Sequence, residues 1–180
     1  MFWIFILIII ALLVWAIYMY NSLVRQRNIV AEAWAGIDVQ LTRRFDLIPN
    51  LVELVKAYKE YEAGTLEEIV RLRANTDTPV NQRAANESLI SGQIKKLIAV
   101  AEAYPDLKAD KNFRQLHASL VEVEDHLQYA RRYYNGAVRD NNNLVESFPN
   151  NLLATTFGFK GAEFFEIELA SQRQAVEVSL

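Results

Sequence analysis

AEAWAGIDVQLTRRFDLIPNLVELV, residues 31–55, is the stretch whose reading decides the fold. With Val30 just before it, large apolar residues fall at Val30, Trp34, Ile37, Leu41, Phe45, Ile48, Val52 and Val55, in steps of three and four. That spacing matches the period of an α-helix and lays one apolar stripe along one face. A helix with a single apolar stripe must bury it against other helices, so the stretch predicts a helical bundle.

Working toward the N-terminus, Met1 to Tyr20 reads MFWIFILIIIALLVWAIYMY and contains no charged residue. Twenty apolar residues in a helix span about 30 Å, the hydrocarbon thickness of a bilayer. Trp3 at one end and Tyr18 and Tyr20 at the other suit interfacial anchoring. A cleaved signal peptide is the rival, but no basic residue precedes the apolar run. The Ala31-x-Ala33 match lies too far beyond that run and inside the expected helix. Residues 1–20 are therefore read as an uncleaved transmembrane anchor. Arg25 and Arg27 follow it, and positive residues favour the cytoplasmic side, so the N-terminus is expected outside and the C-terminal domain inside. No glycine or proline separates the anchor from the stripe, so the membrane helix is expected to become the first bundle helix.

Toward the C-terminus, Pro49 interrupts the pattern, but Val52 and Val55 keep its register, which favours a kink over a loop. Helical character then runs through Leu66 and Ile69 to about Arg73, and NTDTPVN, residues 75–81, marks a turn. A third segment, about Arg83 to Tyr104, carries Leu89, Ile94, Leu97, Ile98 and Ala101 on its expected inner side and stops at Pro105. The fourth, from near Asp110, is the most regular. Phe113, Leu116, Leu120, Val123, Leu127, Ala130, Tyr134, Ala137, Asn141, Leu144 and Phe148 alternate by three and four until Pro149. ATTFGFK (154–160) reads as a loop, and FEIEL (165–169) as a short strand or a loose tail.

The chain has 180 residues, a net charge of -3 and no cysteine. The charge opposes a nucleic-acid surface, and the missing cysteines remove disulfides, thiolate ligands and thiol nucleophiles. No Glu-x-x-His pair of the kind that builds a carboxylate–histidine metal centre occurs, and Glu122 with His126 reads as an exposed i,i+4 pair. Neither a nucleophile elbow nor a glycine-rich phosphate loop is present. The candidate site is the charged group Asp38, Arg43, Arg44 and Asp46, of which Asp38 and Arg44 border the apolar stripe. Such charges either set helix register or bind a partner's carboxylate or phosphate. Asn141 falls at a seam position, where a polar residue specifies pairing at a cost in stability.

Several strings taken together resemble the LemA family. They are Tyr20-Asn21 with Leu23-Val24 and Arg27-Asn28, Ala33-Trp34, Ile37 to Leu41, and above all Arg43 to Val52, RRFDLIPNLV. Further on come Ala101 to Lys108, Asn112-Phe113, Tyr134-Asn135, Phe148-Pro149 and Phe157-Gly158-Phe159. The resemblance implies a bacterial inner-membrane protein with one N-terminal span, a short outer N-terminus and an antiparallel helical bundle inside. It implies no enzyme, because the family has no established catalytic activity, and it links the chain to envelope and membrane-remodelling processes. Tyr61-Glu62 stands where relatives often show His-Glu, and Asn141 where a tyrosine is common.

The expectation is thus an all-α protein with an anchor at 1–20, a bundle of three to four long helices at 21–157 and a tail at 158–180. Its expected role is a non-enzymatic scaffold or adaptor that meets a protein partner or a second copy of itself, with no cofactor, nucleic acid or small-molecule substrate. The alternative is a carboxylate-based metal-binding or enzymatic bundle using Glu53, Glu62, Glu102 and Glu124, which has no histidine or cysteine partners to support it. Lipid attraction by the tail is opposed by four glutamates (Glu163, Glu166, Glu168, Glu177) against Lys160 and Arg173.

Overall fold

The computed structural model describes residues 1–58, 80–102 and 104–166. The elements are α1 (Phe2–Tyr58), α2 (Val80–Glu102), α3 (Pro105–Ala109), α4 (Lys111–Glu146) and α5 (Asn150–Phe157), with no strand among the described residues. The fold is all-α, as the helical spacing predicts. The apolar N-terminal segment and the amphipathic stripe form one helix, and α1 runs unbroken through Pro49. The expected continuation to Arg73 and most of the turn at 75–81 lie outside the described residues. Val80 and Asn81, read as part of that turn, already belong to α2.

The chain divides into two compact units, Met1–Val39 with Gln128–Phe164, and Gln40–Leu127 with the segment from Phe165. In the first, Met19, Leu23, Ala33 and Ile37 of α1 are buried, as are Tyr134, Ala137, Val138 and Asn141 of α4. Gln26 Nε2 donates to the Ala137 carbonyl at 3.3 Å, and the Trp34 ring lies 5.3 Å from that of Tyr134. As numbers rise along α1 they fall along α4, so the two helices run antiparallel in this unit.

In the second unit one core joins Ile48, Leu51, Val52 and Val55 of α1 to Ile90, Ile94, Leu97 and Ala101 of α2, Leu107 of α3, and Phe113, Leu116 and Leu120 of α4. Each large apolar side chain buried this way contributes about 1.5–3 kcal/mol, so apolar burial dominates this unit. The inner face of α2 holds the expected Ile94, Leu97 and Ala101 and departs from expectation at Leu89. Leu89 is exposed and Ile90 is buried, so the stripe runs Ala84, Glu87, Ile90, Ile94, Leu97, Ala101. Leu89 falls one residue off the stripe because its inward place is taken by Ile90, three residues after the inward Glu87.

Local chemistry sets the ends of α4 and α5. Asp110 caps α4 by accepting the Phe113 amide at Oδ1, 2.9 Å away. The stripe of α4 is buried as expected through Phe113, Leu120, Leu127, Tyr134 and Asn141. It fails at Phe148, because α4 stops at Glu146 and leaves that ring exposed. The expected loop at 154–160 is also half helix. α5 covers Ala154 to Phe157 and closes at Gly158, whose φ of 72° is left-handed. The Phe159 amide returns to the Ala154 carbonyl at 2.9 Å, satisfying the orphan acceptor of the last turn.

Candidate functional site

Of the four charged residues singled out by sequence, only Arg44 lies inside the fold. Asp38, Arg43 and Asp46 are exposed on α1. Arg44 follows Leu41 and precedes Ile48 on the buried stripe, so the helical period carries its guanidinium inward. There Nη1 donates to Ser91 Oγ at 2.8 Å and to Glu124 Oε2 at 3.2 Å, and Nη2 donates to Glu87 Oε2. One arginine thus holds one point on α1, two on α2 and one on α4.

A buried arginine needs such partners, because moving a bare charge out of water costs several kcal/mol. Glu87 is nearly enclosed, whereas Glu124 stays half open to solvent. Glu87 and Ser91 are the residues that sequence reasoning missed. The signal for Glu87 was its spacing of three from both Ala84 and Ile90, which marks an acid on an apolar face.

Of the acids proposed for a metal site, the side chain of Glu102 lies outside what the structure describes. Glu124 is engaged by Arg44, Glu53 is exposed at the rim of a groove with Asn50 and Asn112, and Glu62 lies outside the described residues. Among the described residues no group of three His, Asp or Glu side chains converges as a metal site would require. Glu122 and His126 meet at 3.6 Å on the exposed face of α4, as their spacing predicts.

The first unit holds a second polar arrangement, on the segment after α5. Asn142 Nδ2 donates to the Ala162 carbonyl at 3.0 Å, and the Ala162 amide donates to Asn142 Oδ1 at 2.8 Å. The side-chain amide therefore pairs with the backbone as a neighbouring strand would. Asn141 Nδ2 donates to the Lys160 carbonyl at 3.4 Å, and Tyr134 donates its hydroxyl proton to the Glu163 carbonyl at 2.8 Å. Burial pushes the Tyr134 phenol above its ordinary pKa, and the nearby Glu163 carboxylate adds to the rise. Gly161 permits this approach, since a Cβ there would stand 3.2 Å from Asn142 Oδ1.

The seam asparagine thus bonds to the chain's own later segment, a contact that helical spacing does not encode. The LemA family profile matches residues 33–180. The chain belongs to the LemA family. Among curated LemA-like relatives, Protein LemA of Metamycoplasma hominis is 27% identical over 161 residues, covering 88% of this chain and 72% of the relative. Magnetosome protein MamQ 2 of Paramagnetospirillum magneticum is 25% identical over 190 residues, covering 89% and 70%. Magnetosome protein MamQ of Magnetospirillum gryphiswaldense is 22% identical over 175 residues, covering 81% and 64%. The RRFDLIPNLV string that carries the resemblance lies inside the matched range and contains Arg44.

Proposed function

We propose that this LemA-family chain is a single-pass membrane protein whose bundle serves as a non-enzymatic scaffold or adaptor in membrane or envelope organisation. The observation that carries the reading is the first part of α1. Its run of apolar side chains is almost wholly exposed, from Phe2 through Tyr18. Exposing that much apolar surface to water is untenable for a soluble helix, and a bilayer is the matching solvent. In this reading residues 1–20 form the anchor, residues 21–157 the bundle and residues 158–180 the tail. Arg25 and Arg27 hold the bundle on the cytoplasmic side of the inner membrane.

Confinement to a bilayer raises the effective concentration of the bundle for partners in the same membrane, which is how a scaffold acts without chemistry. Two of the relatives are magnetosome proteins, which is in keeping with a role in organisation. Within the bundle, Arg44 sets helix register, and the exposed Arg43 and Asp46 beside it face a partner.

The test is crosslinking of the full-length protein in intact membranes, with photoreactive groups beside Arg43. The expected result is membrane retention at alkaline pH together with a discrete adduct that Arg43→Ala removes. Retention with monomer alone sinks the adaptor role, and release from the membrane sinks the anchor.

A further inference from the structure

Tyr18 is the last strongly exposed side chain of the apolar run, and Met19 immediately after it is buried, as is Leu23 one turn later. No spacer therefore separates the membrane segment from the packed part of its unit. The antiparallel partner reaches the same level. Ala137 lies beside Gln26, and the remaining residues of α4, at 1.5 Å each, carry Glu146 about 14 Å further, to the height of about residue 17 of α1. The turn after α4 and the helix α5 thus stand where the apolar run ends. Contacts agree: the Tyr20 ring lies 5.0 Å from Phe157 and 5.6 Å from Phe159, both edge-on.

What α5 presents outward suits hydrocarbon better than water. Phe148 is 80% exposed, Leu152 61% and Phe157 58%. From Ser147 to Ala162 there is no acidic residue, and the one charge is Lys160. Two exposed threonines of α5 have their hydroxyls turned back into the helix: Thr155 Oγ1 donates to the Asn151 carbonyl and Thr156 Oγ1 to the Leu152 carbonyl, each at 2.8 Å. Their protons are satisfied without water, so this face enters a low-dielectric layer without orphaning a donor. Nearby, the Arg27 guanidinium sits 5.3 Å over the Phe159 ring, at a level suited to lipid phosphates.

We propose that α5, with Phe148 before it, is a second membrane contact that lies in the interfacial layer of the bilayer crossed by α1. Phe148, Leu152 and Phe157 enter the boundary between headgroups and acyl chains, as an amphipathic interfacial helix does. This rests on the anchor reading of residues 1–20. The contact fixes the rotation of α1 about the membrane normal, which a lone span leaves free.

The chain has no cysteine, so single labels are unambiguous. Full-length Val14→Cys, Leu152→Cys, Phe148→Cys and Tyr129→Cys variants, each carrying an environment-sensitive fluorophore, are placed in vesicles of zwitterionic and anionic phospholipid with nitroxides at shallow or deep positions. Tyr129 is exposed on α4, about 12 Å further from the membrane than Ala137 by helical rise. The expected result is strong quenching of Val14 by deep nitroxides, strong quenching of Leu152 and Phe148 by shallow ones, and little at Tyr129. Quenching at Val14 with none at Leu152 or Phe148 overturns the interfacial helix and leaves the anchor standing. Equal quenching at Leu152 and Tyr129 also overturns it, since the surface contact would not belong to α5. Absence of quenching at Val14 overturns both readings.

Discussion

Arg43 and Arg44 are adjacent in sequence and opposite in situation. Arg44→Ala removes the buried cation that pairs with Glu87 and Glu124, and breaking a buried pair in this way costs about 3–5 kcal/mol. Arg43→Ala removes an exposed side chain and shifts stability by no more than about 0.5 kcal/mol. Thermal melts of the two variants in detergent check this, and similar melting points would show that the cluster does not hold the helices. Tyr134 brings a pH dependence. Its folded pKa is raised, so as pH climbs past about 10 the unfolded chain loses its phenolic proton first. The Tyr134 contribution is therefore complete below that pH and is lost as pH rises through the folded value. Tyr134→Phe removes that alkaline loss together with the bond to Glu163, and a denaturation series from neutral to alkaline pH compares the two proteins. The apolar stripes made Tyr134 legible as an inward position and placed Arg44 at the stripe's border. The stripe of Arg44 did not reveal its partners, because Glu87 and Ser91 lie on another helix, and pairing across helices leaves no mark in either periodicity alone.

Among the elements, the long helices were readable and the short one was not. About seven turns of α4, Phe113 to Ala137, follow an uninterrupted apolar alternation, and Asp110 and Pro105 mark helix starts. α5 has eight residues, two of them threonines with poor helix propensity, and a glycine directly after it, so its sequence resembles a loop. The segment that follows it is held by tertiary hydrogen bonds from Asn141 and Asn142 to Lys160 and Ala162, and those asparagines read in sequence as a seam interruption or fraying. Asn142→Ala removes both bonds to Ala162, each contributing about 0.5–1.5 kcal/mol. Hydrogen exchange is expected to speed up at the Ala162 amide while the middle of α4 keeps its protection. Unchanged exchange at Ala162 would mean that the asparagine does not hold this segment.

For the whole molecule, the sequence carried the all-α class and the continuity of the apolar segment with the bundle, because both depend on period and on the absence of glycine and proline between Met1 and Ala35. It did not carry the place of α5 beside Tyr20, which depends on how far α4 extends along α1. Removing residues 2–18 is expected to release the chain from membranes while α4 retains its helical signal, as fractionation with circular dichroism would register. Pelleting of the shortened chain with vesicles would then measure what α5 contributes alone.

The unbroken course of α1 has a mechanical consequence. A span joined to its domain by a flexible linker tilts freely when the bilayer thins, and the domain is not disturbed. Here Met19 and Leu23, the first buried residues, follow the apolar run on the same rigid rod, so there is no joint to absorb the tilt. Bilayer thickness becomes a load on the first packed turn, and shortening the acyl chains of the surrounding lipid should loosen amide protection around Leu23.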